Sequence, residues 1–374
     1  MKKHKIAGHK YWFTKESIEY ITRNIQDLLE KGEYLTEGKY CREFEKEFSS
    51  YIGVKYSIVT SSGTSALDAV LQALQVKGYE VIVPTNTFIA TAAAVIRAGG
   101  IPVFADCDEY LNLDVDDAIK RVTQKTKAII IVHIGGLISP RIDELREFCD
   151  KKGIYLIEDA AHAHGSKYNG RMAGSFGHAA TFSFFSTKVM SIGEGGMVVT
   201  NDEELARKIR ILKDQGKEPK GIYQNIYSIL GNNWRMTEFQ AIIGLAQLKL
   251  IEESISRREK IAKIYNEKLQ KINKVETRKI PEKERCNFYK YVVYLKDPKL
   301  QREKIYEQMK ESFGISLSGF VYEIPLHKQP IFENLKISLP NAEKLCSSHI
   351  CLPIYPTLTT EEAEYVIDSL ISLI

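Results

Sequence analysis

Between Tyr56 and Thr200 the chain repeats one rhythm: a short apolar run, a turn of small residues, a helical stretch, then another apolar run. "YSIVTSSGTSALDAVLQAL" reads as strand, turn and helix. "EVIVPTNT", "IPVFADCD", "AIIIVHIGG", "IYLIEDAAHA", "AATFSFFS" and "GGMVVTN" read as further strands. Several of these runs are continuously apolar rather than alternating, as strands covered on both faces require. Helical pieces such as "ATAAAVIRAG" and "RIDELREFCDKKG" fall between them. Strands that alternate with helices in this way form a mainly parallel sheet with helices on both sides.

After Met236 the pattern changes. "TEFQAIIGLAQLKLIEESISRREKIAKIYNEKLQKI" keeps apolar residues at helical spacing over a long stretch, with a polar opposite face. "NKVETRKIPEKERCN" reads as a loop. "YKYVVYLK" and "ISLSGFVYEIP" read as strands, and "QREKIYEQMKES" and "TTEEAEYVIDSLISLI" as helices. The last helix opens on Thr359, three residues before Glu362, which is a capping box. A chain of 374 residues exceeds one typical small domain. The division expected is a large unit over 1–236, N-terminal segment included, and a connecting helix with a smaller α/β unit over 237–374.

Bulk properties exclude several classes. The formal net charge is only +4, and its basic residues are interleaved with acidic ones, which argues against nucleic acid or membrane as a partner. No apolar run is long enough to span a bilayer, and no apolar core follows the basic start "MKKHKIAGHK". The six cysteines are scattered and form no CxxC pair. These features predict a cytoplasmic protein with reduced thiols.

In an open α/β sheet, ligands bind outside the carboxyl ends of the strands. The first strand ends in "SSGTSAL", Ser61 to Leu67, at the start of a helix. Free backbone N–H groups and the helix dipole make such a turn an anion site, with Ser62 and Thr64 as hydroxyl donors and Gly63 allowing close approach. An ordinary capped helix start explains the same residues. "IYLIEDAAHA" ends in Glu158 and Asp159, followed by His162 and His164. A carboxylate there suits a cationic nitrogen, or simply caps the next segment. No CxxC or HExxH accompanies the histidines, so no metal is expected. "FSFFSTKVMSIGEGG" carries Ser183 and then Lys188 ahead of Gly193, Gly195 and Gly196. A partly desolvated lysine at a strand end is an amine nucleophile. Most lysines are surface residues, but the glycines beside this one mark a tight backbone path. An anion cradle, a carboxylate and an amine, in that chain order, together suit pyridoxal phosphate: a phosphate, a pyridine nitrogen and an aldehyde.

The chain also resembles the DegT/DnrJ/EryC1/StrS aminotransferases. The resemblance runs over nearly its whole length, through "YLTEGKYCREFEKEF", "SSGTSALDAVLQAL", "VIVPTNTFIATAAAV", "IEDAAHAHGS", "FSFFSTKVMSIGEGGMVVTND", "GNNWRMTEFQAIIGLAQL", "PLHKQP" and "LPIYPTLTTEEAEYVI". It implies a type I aminotransferase fold and a homodimer with active sites at the subunit interface. It implies pyridoxal phosphate as cofactor, L-glutamate as amino donor, and a nucleotide-linked 3-keto or 4-keto deoxysugar as acceptor. Carried over residue by residue, Lys188 would bind the aldehyde, Asp159 would hold the pyridine nitrogen, and His162 would contact the phenolic oxygen. Phe88 would stack on the ring, and Gly63, Thr64 and Ser183 would contact the phosphate. Asn233 would reach the cofactor phosphate of the neighbouring subunit. Without the resemblance, Phe88 and Asn233 read as core packing and turn capping.

Two stretches depart from the family pattern. "VHIGG" has glycine where many members carry a bulkier residue, and Phe185 stands where tyrosine or histidine is frequent. Both lie on the expected substrate side. Three other activities stay open: a pyridoxal-phosphate-dependent sugar dehydratase, an aminotransferase for a cyclitol or other ketone, and a non-catalytic regulatory protein on this fold. Related dehydratases have histidine where this chain has Lys188, which favours transamination. A nicotinamide oxidoreductase is disfavoured because no GxGxxG follows the first strand.

Overall fold

The computed structural model describes residues 5–374. The main sheet comes from the apolar runs: β1 (Tyr56–Thr60), β2 (Glu80–Pro84), β3 (Ile101–Ala105), β4 (Thr126–Val132) and β5 (Tyr155–Asp159). Two short strands follow, β6 (Lys167–Tyr168) and β7 (Arg171–Met172), before β8 (Ala179–Ser183) and β9 (Gly196–Thr200) complete the sheet. Its order is β1-β9-β8-β5-β4-β2-β3. Every neighbouring pair is parallel except the two made by β9, which runs antiparallel to β1 and β8. This is an α/β fold with a mainly parallel mixed sheet.

Helices cover both faces. On one face lie α1 (Lys15–Glu30), α2 (Lys39–Ile52) and the first part of a long helix, Glu238–Leu269. Phe44 and Phe48 of α2 meet Phe182 and Phe184 there, with ring centroids 5.0 to 5.6 Å apart. On the other face lie α3 (Gly63–Ala73) and α4 (Ile89–Arg97), packed over Ile58, Val83, Ile130, Ile157 and Val198. Successive strand residues point to opposite faces. Phe182 therefore faces the α2 side while Ser183 faces the α3 side, and Leu156 and Ile157 divide the same way in β5. Asp159 pairs with Thr181 of β8 in register, which puts it on the α3 side with Ser183.

The remaining strands are β10 (Val275–Thr277), β11 (Glu284–Arg285), β12 (Tyr291–Leu295) and β13 (His349–Leu352). β10-β12-β13 form one small antiparallel sheet, and β11-β6-β7 another. "NKVETRKIPEKERCN" is thus a loop that carries two short strands. A separate core gathers Tyr265, Tyr291, Met309, Ile350 and Val366 around the three-stranded sheet. The long helix serves both cores, through Ala241–Ile255 in the first and Ile261–Leu269 in the second. Its start is a capping box between Thr237 and Gln240, and the last helix opens on the Thr359–Glu362 box. Ile6 also joins the second core and pairs with Ile315.

One expected strand does not form. "ISLSGFVYEIP" runs irregularly beyond the Ile6–Ile315 bridge. Gly319 turns the backbone to φ +75°, and the donors face scattered acceptors instead of one ladder. Ser318 donates to the Cys351 carbonyl at 2.8 Å, Val321 to His349 Nε2 at 2.9 Å, and Leu326 to the Thr85 carbonyl at 2.8 Å.

Candidate active site

The β1–α3 turn is built by capping. The Ser62 hydroxyl accepts the Ser65 N–H at 3.1 Å, and Ser65 Oγ accepts the Ser62 N–H at 2.9 Å. Ser62 is therefore first of all the helix cap. The N–H groups of Gly63 and Thr64 belong to the first turn, which has no partners within its own helix. A Cβ on Gly63 would lie 2.7 Å from that of Ser183, so only glycine lets the helix start approach the end of β8. Ser183 is half-buried beside it, and its Oγ accepts the Phe185 N–H at 3.4 Å.

Asp159 is 7% exposed at the end of β5. It accepts the Thr91 hydroxyl of α4 at 3.1 Å and the Ala161 N–H at 3.2 Å. Among the described residues it has no ion-pair partner. Burial raises its carboxyl above the ordinary range, and the hydrogen bonds and Lys188 only partly offset that. Its neighbour Glu158 points to the opposite face and does structural work. Glu158 accepts the Gly174, Phe176 and Gly177 N–H groups and meets His133 Nε2 at 2.8 Å. Burial would raise Glu158, but the partner His133 and these donors hold it below the usual range.

Lys188 sits half-buried in the loop between β8 and β9, whose neck is closed by hydrogen bonds from Phe184 to Gly195 and from Ile192 to Phe184, each 2.9 Å. Its Nζ lies 5.0 Å from the centre of the Tyr289 ring. His162 is buried, and its Nδ1 accepts the Gly135 N–H at 3.2 Å. The ring proton of the neutral form therefore sits on Nε2, 3.4 Å from the Tyr322 hydroxyl. Burial and then Lys188 hold His162 well below the ordinary histidine range, so it is uncharged at neutral pH. Phe88 caps α4, stands 56% exposed and lies 6.3 Å from the Tyr322 ring. Thr64 has no side-chain partner among the described residues. Asn233 is exposed, and among the described residues it makes only a backbone bridge to Asp214.

The fold thus gathers the ends of β1, β5 and β8, with Gly63, Thr64 and Ser183 at one side and Asp159, His162 and Lys188 at the other. Asn233 stays outside this set within one chain. Sequence reasoning missed Thr91, Tyr289, Tyr322 and Asn287. Asn287 Nδ2 donates to the carbonyls of His162 and His164 at 2.8 and 2.9 Å and so fixes the loop after β5. None of the four carries a local signal. Each reads as an ordinary helix, strand or loop residue until tertiary contact places it.

The glycines of "VHIGG" have a physical cause. Gly136 has φ +89°, and a Cβ there would lie 1.8 Å from Asn287 Oδ1. Arg278 takes the neighbouring space and donates to the Ile134 carbonyl at 2.6 Å and the Gly135 carbonyl at 3.2 Å. Among the described residues no group of three or more His, Cys, Asp or Glu is placed to hold a metal ion. No helix there is long and apolar enough to cross a membrane.

A buried carboxylate without a cation, free N–H groups at a helix start, an exposed aromatic and a half-buried amine fit pyridoxal phosphate group by group. The sequence profile of the DegT/DnrJ/EryC1/StrS aminotransferase family matches residues 15–371. The chain belongs to this family. It is a pyridoxal-phosphate-dependent aminotransferase with the type I fold. GDP-perosamine synthase of Caulobacter vibrioides is 38% identical over 89% of this chain and 90% of that protein. Helicobacter pylori PseC, an aminotransferase involved in the biosynthesis of pseudoaminic acid, superposes with a TM-score of 0.92 at 26% identity, covering 99% of both chains. NtdA of Bacillus subtilis, solved with bound PMP, gives a TM-score of 0.87 at 28% identity, covering 100% of this chain and 86% of that one.

Proposed function

We propose that this aminotransferase moves an amino group from L-glutamate to a keto sugar, a nucleotide-linked 3-keto or 4-keto deoxysugar, and so makes an amino sugar. Two relatives support the sugar: one is named for perosamine on GDP, the other for pseudoaminic acid biosynthesis. The observation that carries the amine transfer is Lys188 on its pinned loop beside a buried, cation-free Asp159.

Bound pyridoxal phosphate supplies an aldehyde that condenses with amines and a ring that takes up the electron pair left by a departing proton. Lys188 holds the aldehyde between turnovers. When not engaged with the aldehyde, its Nζ would be the general base that moves the donor's α-proton. Asp159 would bind the pyridine nitrogen and keep it protonated. Thr91 and the Ala161 N–H orient that carboxylate. His162 donates its Nε2 proton to the phenolic oxygen, and Phe88 covers the ring. The N–H groups of Gly63 and Thr64 and the hydroxyls of Thr64 and Ser183 would hold the phosphate. Ser62 caps the helix that presents them. The second half-reaction runs the same proton steps in reverse on the keto sugar.

The active unit is a homodimer in which Asn233 reaches the partner's cofactor phosphate. Six buried, unpaired cysteines suit a reducing cytoplasm.

The test uses nitrogen-labelled glutamate and a panel of nucleotide-linked 3-keto and 4-keto sugars. Label in the sugar product is expected. Borohydride reduction of the holoenzyme should place the cofactor mass on the peptide containing Lys188. Label that never reaches a sugar, or a modified peptide without Lys188, overturns the assignment.

A further inference from the structure

Tyr289 is bound into the site from three directions. Its backbone N–H donates to Asn287 Oδ1 at 2.9 Å, and that amide is itself fixed on the His162 and His164 carbonyls. Its hydroxyl lies 3.1 Å from Thr187 Oγ1, on the residue before Lys188. Its ring packs on His162 with centroids 4.3 Å apart, inclined by 30°.

The charges around it are cationic. Lys188 Nζ, from the β8–β9 loop, and Lys290 Nζ, on its own segment, stand 5.0 and 5.3 Å from the ring centre. Arg258 of the long helix is buried nearby, bonded to the carbonyls of Phe288 and Ile354. The uncharged His162 and the Tyr322 phenol complete the surroundings.

A lysine that takes a proton from carbon has to be uncharged first. Ordinary phenol and ammonium pKa values lie within about half a unit of each other, near 10 and 10.4. A proton shared between such groups crosses at little cost.

We propose that Tyr289 is a further catalytic residue, a phenol that exchanges a proton with the Lys188 amine and so prepares the lysine to act as base. This rests on the aminotransferase reading of the Lys188 site. In the step, one N–H bond of the ammonium breaks and the phenolate O–H bond forms. The products are a neutral amine and a neutral phenol, and the return half-reaction reverses it. No oxidant, reductant or further reactant is involved. Burial alone would raise the phenol, but Lys188 and Lys290 hold it below the ordinary tyrosine value.

The first experiment needs no cofactor. The near-ultraviolet tyrosinate absorbance of the cofactor-free protein is titrated for wild type, Tyr289→Phe, Thr187→Val and Lys188→Ala. With 20 tyrosines in the chain, the wild-type minus Tyr289→Phe difference isolates one phenol. Its midpoint is expected below 10, and higher once Lys188 is removed. The second experiment follows the half-reaction with L-glutamate. Tyr289→Phe should lose ~10²-fold in rate with KM unchanged, and Thr187→Val less. A wild-type rate and pH profile in Tyr289→Phe, or a midpoint that ignores Lys188, overturns the proposal. If wild type does not react with glutamate, the donor assignment fails, and the titration alone decides the role of Tyr289. If Tyr289→Phe does not fold, the wild-type minus Thr187→Val and wild-type minus Lys188→Ala difference titrations decide it: each should show one phenol shifted to higher pH.

Discussion

Asp159 is the residue where stability and function pull apart. Burial raises its carboxyl, Lys188 only partly offsets that, and no ion-pair partner touches it among the described residues. The folded protein therefore binds a proton more tightly than the unfolded chain at this position. Stability falls as pH rises from the unfolded value, about 3.9, through the raised folded value. Above the raised folded value the cofactor-free protein bears the full cost of burying that charge. Asp159→Asn removes it and keeps both contacts, with Oδ1 on the Ala161 N–H and Nδ2 on Thr91, whose hydroxyl then donates to Thr87. The cofactor-free variant should melt higher than wild type at pH 7, with the difference closing as pH approaches 4. Its turnover with cofactor should fall ~10²–10³-fold, as when one preorganised charge is removed. Calorimetry across pH checks the first part. A variant no more stable than wild type at pH 7 contradicts the account of Asp159 as an unpaired buried charge.

At the scale of elements, the strands were legible because burial on both faces writes continuous apolar runs into the sequence. β1 to β5, β8 and β9 all fall where those runs are. "ISLSGFVYEIP" has a similar composition but forms no strand ladder along its length, and donors within it go singly to the Cys351 carbonyl and the His349 ring. Composition reports burial and says nothing about the availability of a partner edge. The β4–β5 side of the site shows the same limit. The sequence marks Gly135 and Gly136 as departures, yet the cause lies more than a hundred positions away, in Arg278 and Asn287. Gly136→Ala forces a Cβ against Asn287 Oδ1 at a left-handed φ, and so should cost ~3 kcal/mol. Asn287 would then release the carbonyls of His162 and His164. Denaturant unfolding measures the stability loss, and cofactor affinity should weaken with it. An unchanged midpoint would show that the Asn287 clamp is easily displaced.

At the scale of the whole molecule, the proposed homodimer would add what one chain does not supply. Asp159 and Ser183 stood out as candidates because each ends a strand, and Lys188 because it follows one, where chemistry in an α/β fold collects. Asn233 came only from the family resemblance, and within one chain it faces solvent. It follows a segment held at its base by the Lys217–Tyr227 bridge and by the Ser228 N–H on the Gly216 carbonyl. That segment exposes Ile222 by 85% and Leu230 by 97%, beside Tyr223 and Tyr227. Apolar side chains grouped this way on a surface mark an interaction site, and a second copy is the occupant that would bring Asn233 to another chain's phosphate. If the proposed dimer uses this segment, Ile222→Asp with Leu230→Asp should give a monomer in sedimentation, leave circular dichroism unchanged, and remove activity. Asn233→Ala should remain dimeric and bind cofactor about 10- to 100-fold more weakly, the worth of one hydrogen bond to a charged group. A fully active wild-type monomer would refute the shared site. A dimeric double-aspartate variant would instead move the interface elsewhere and leave the exposed segment without this partner.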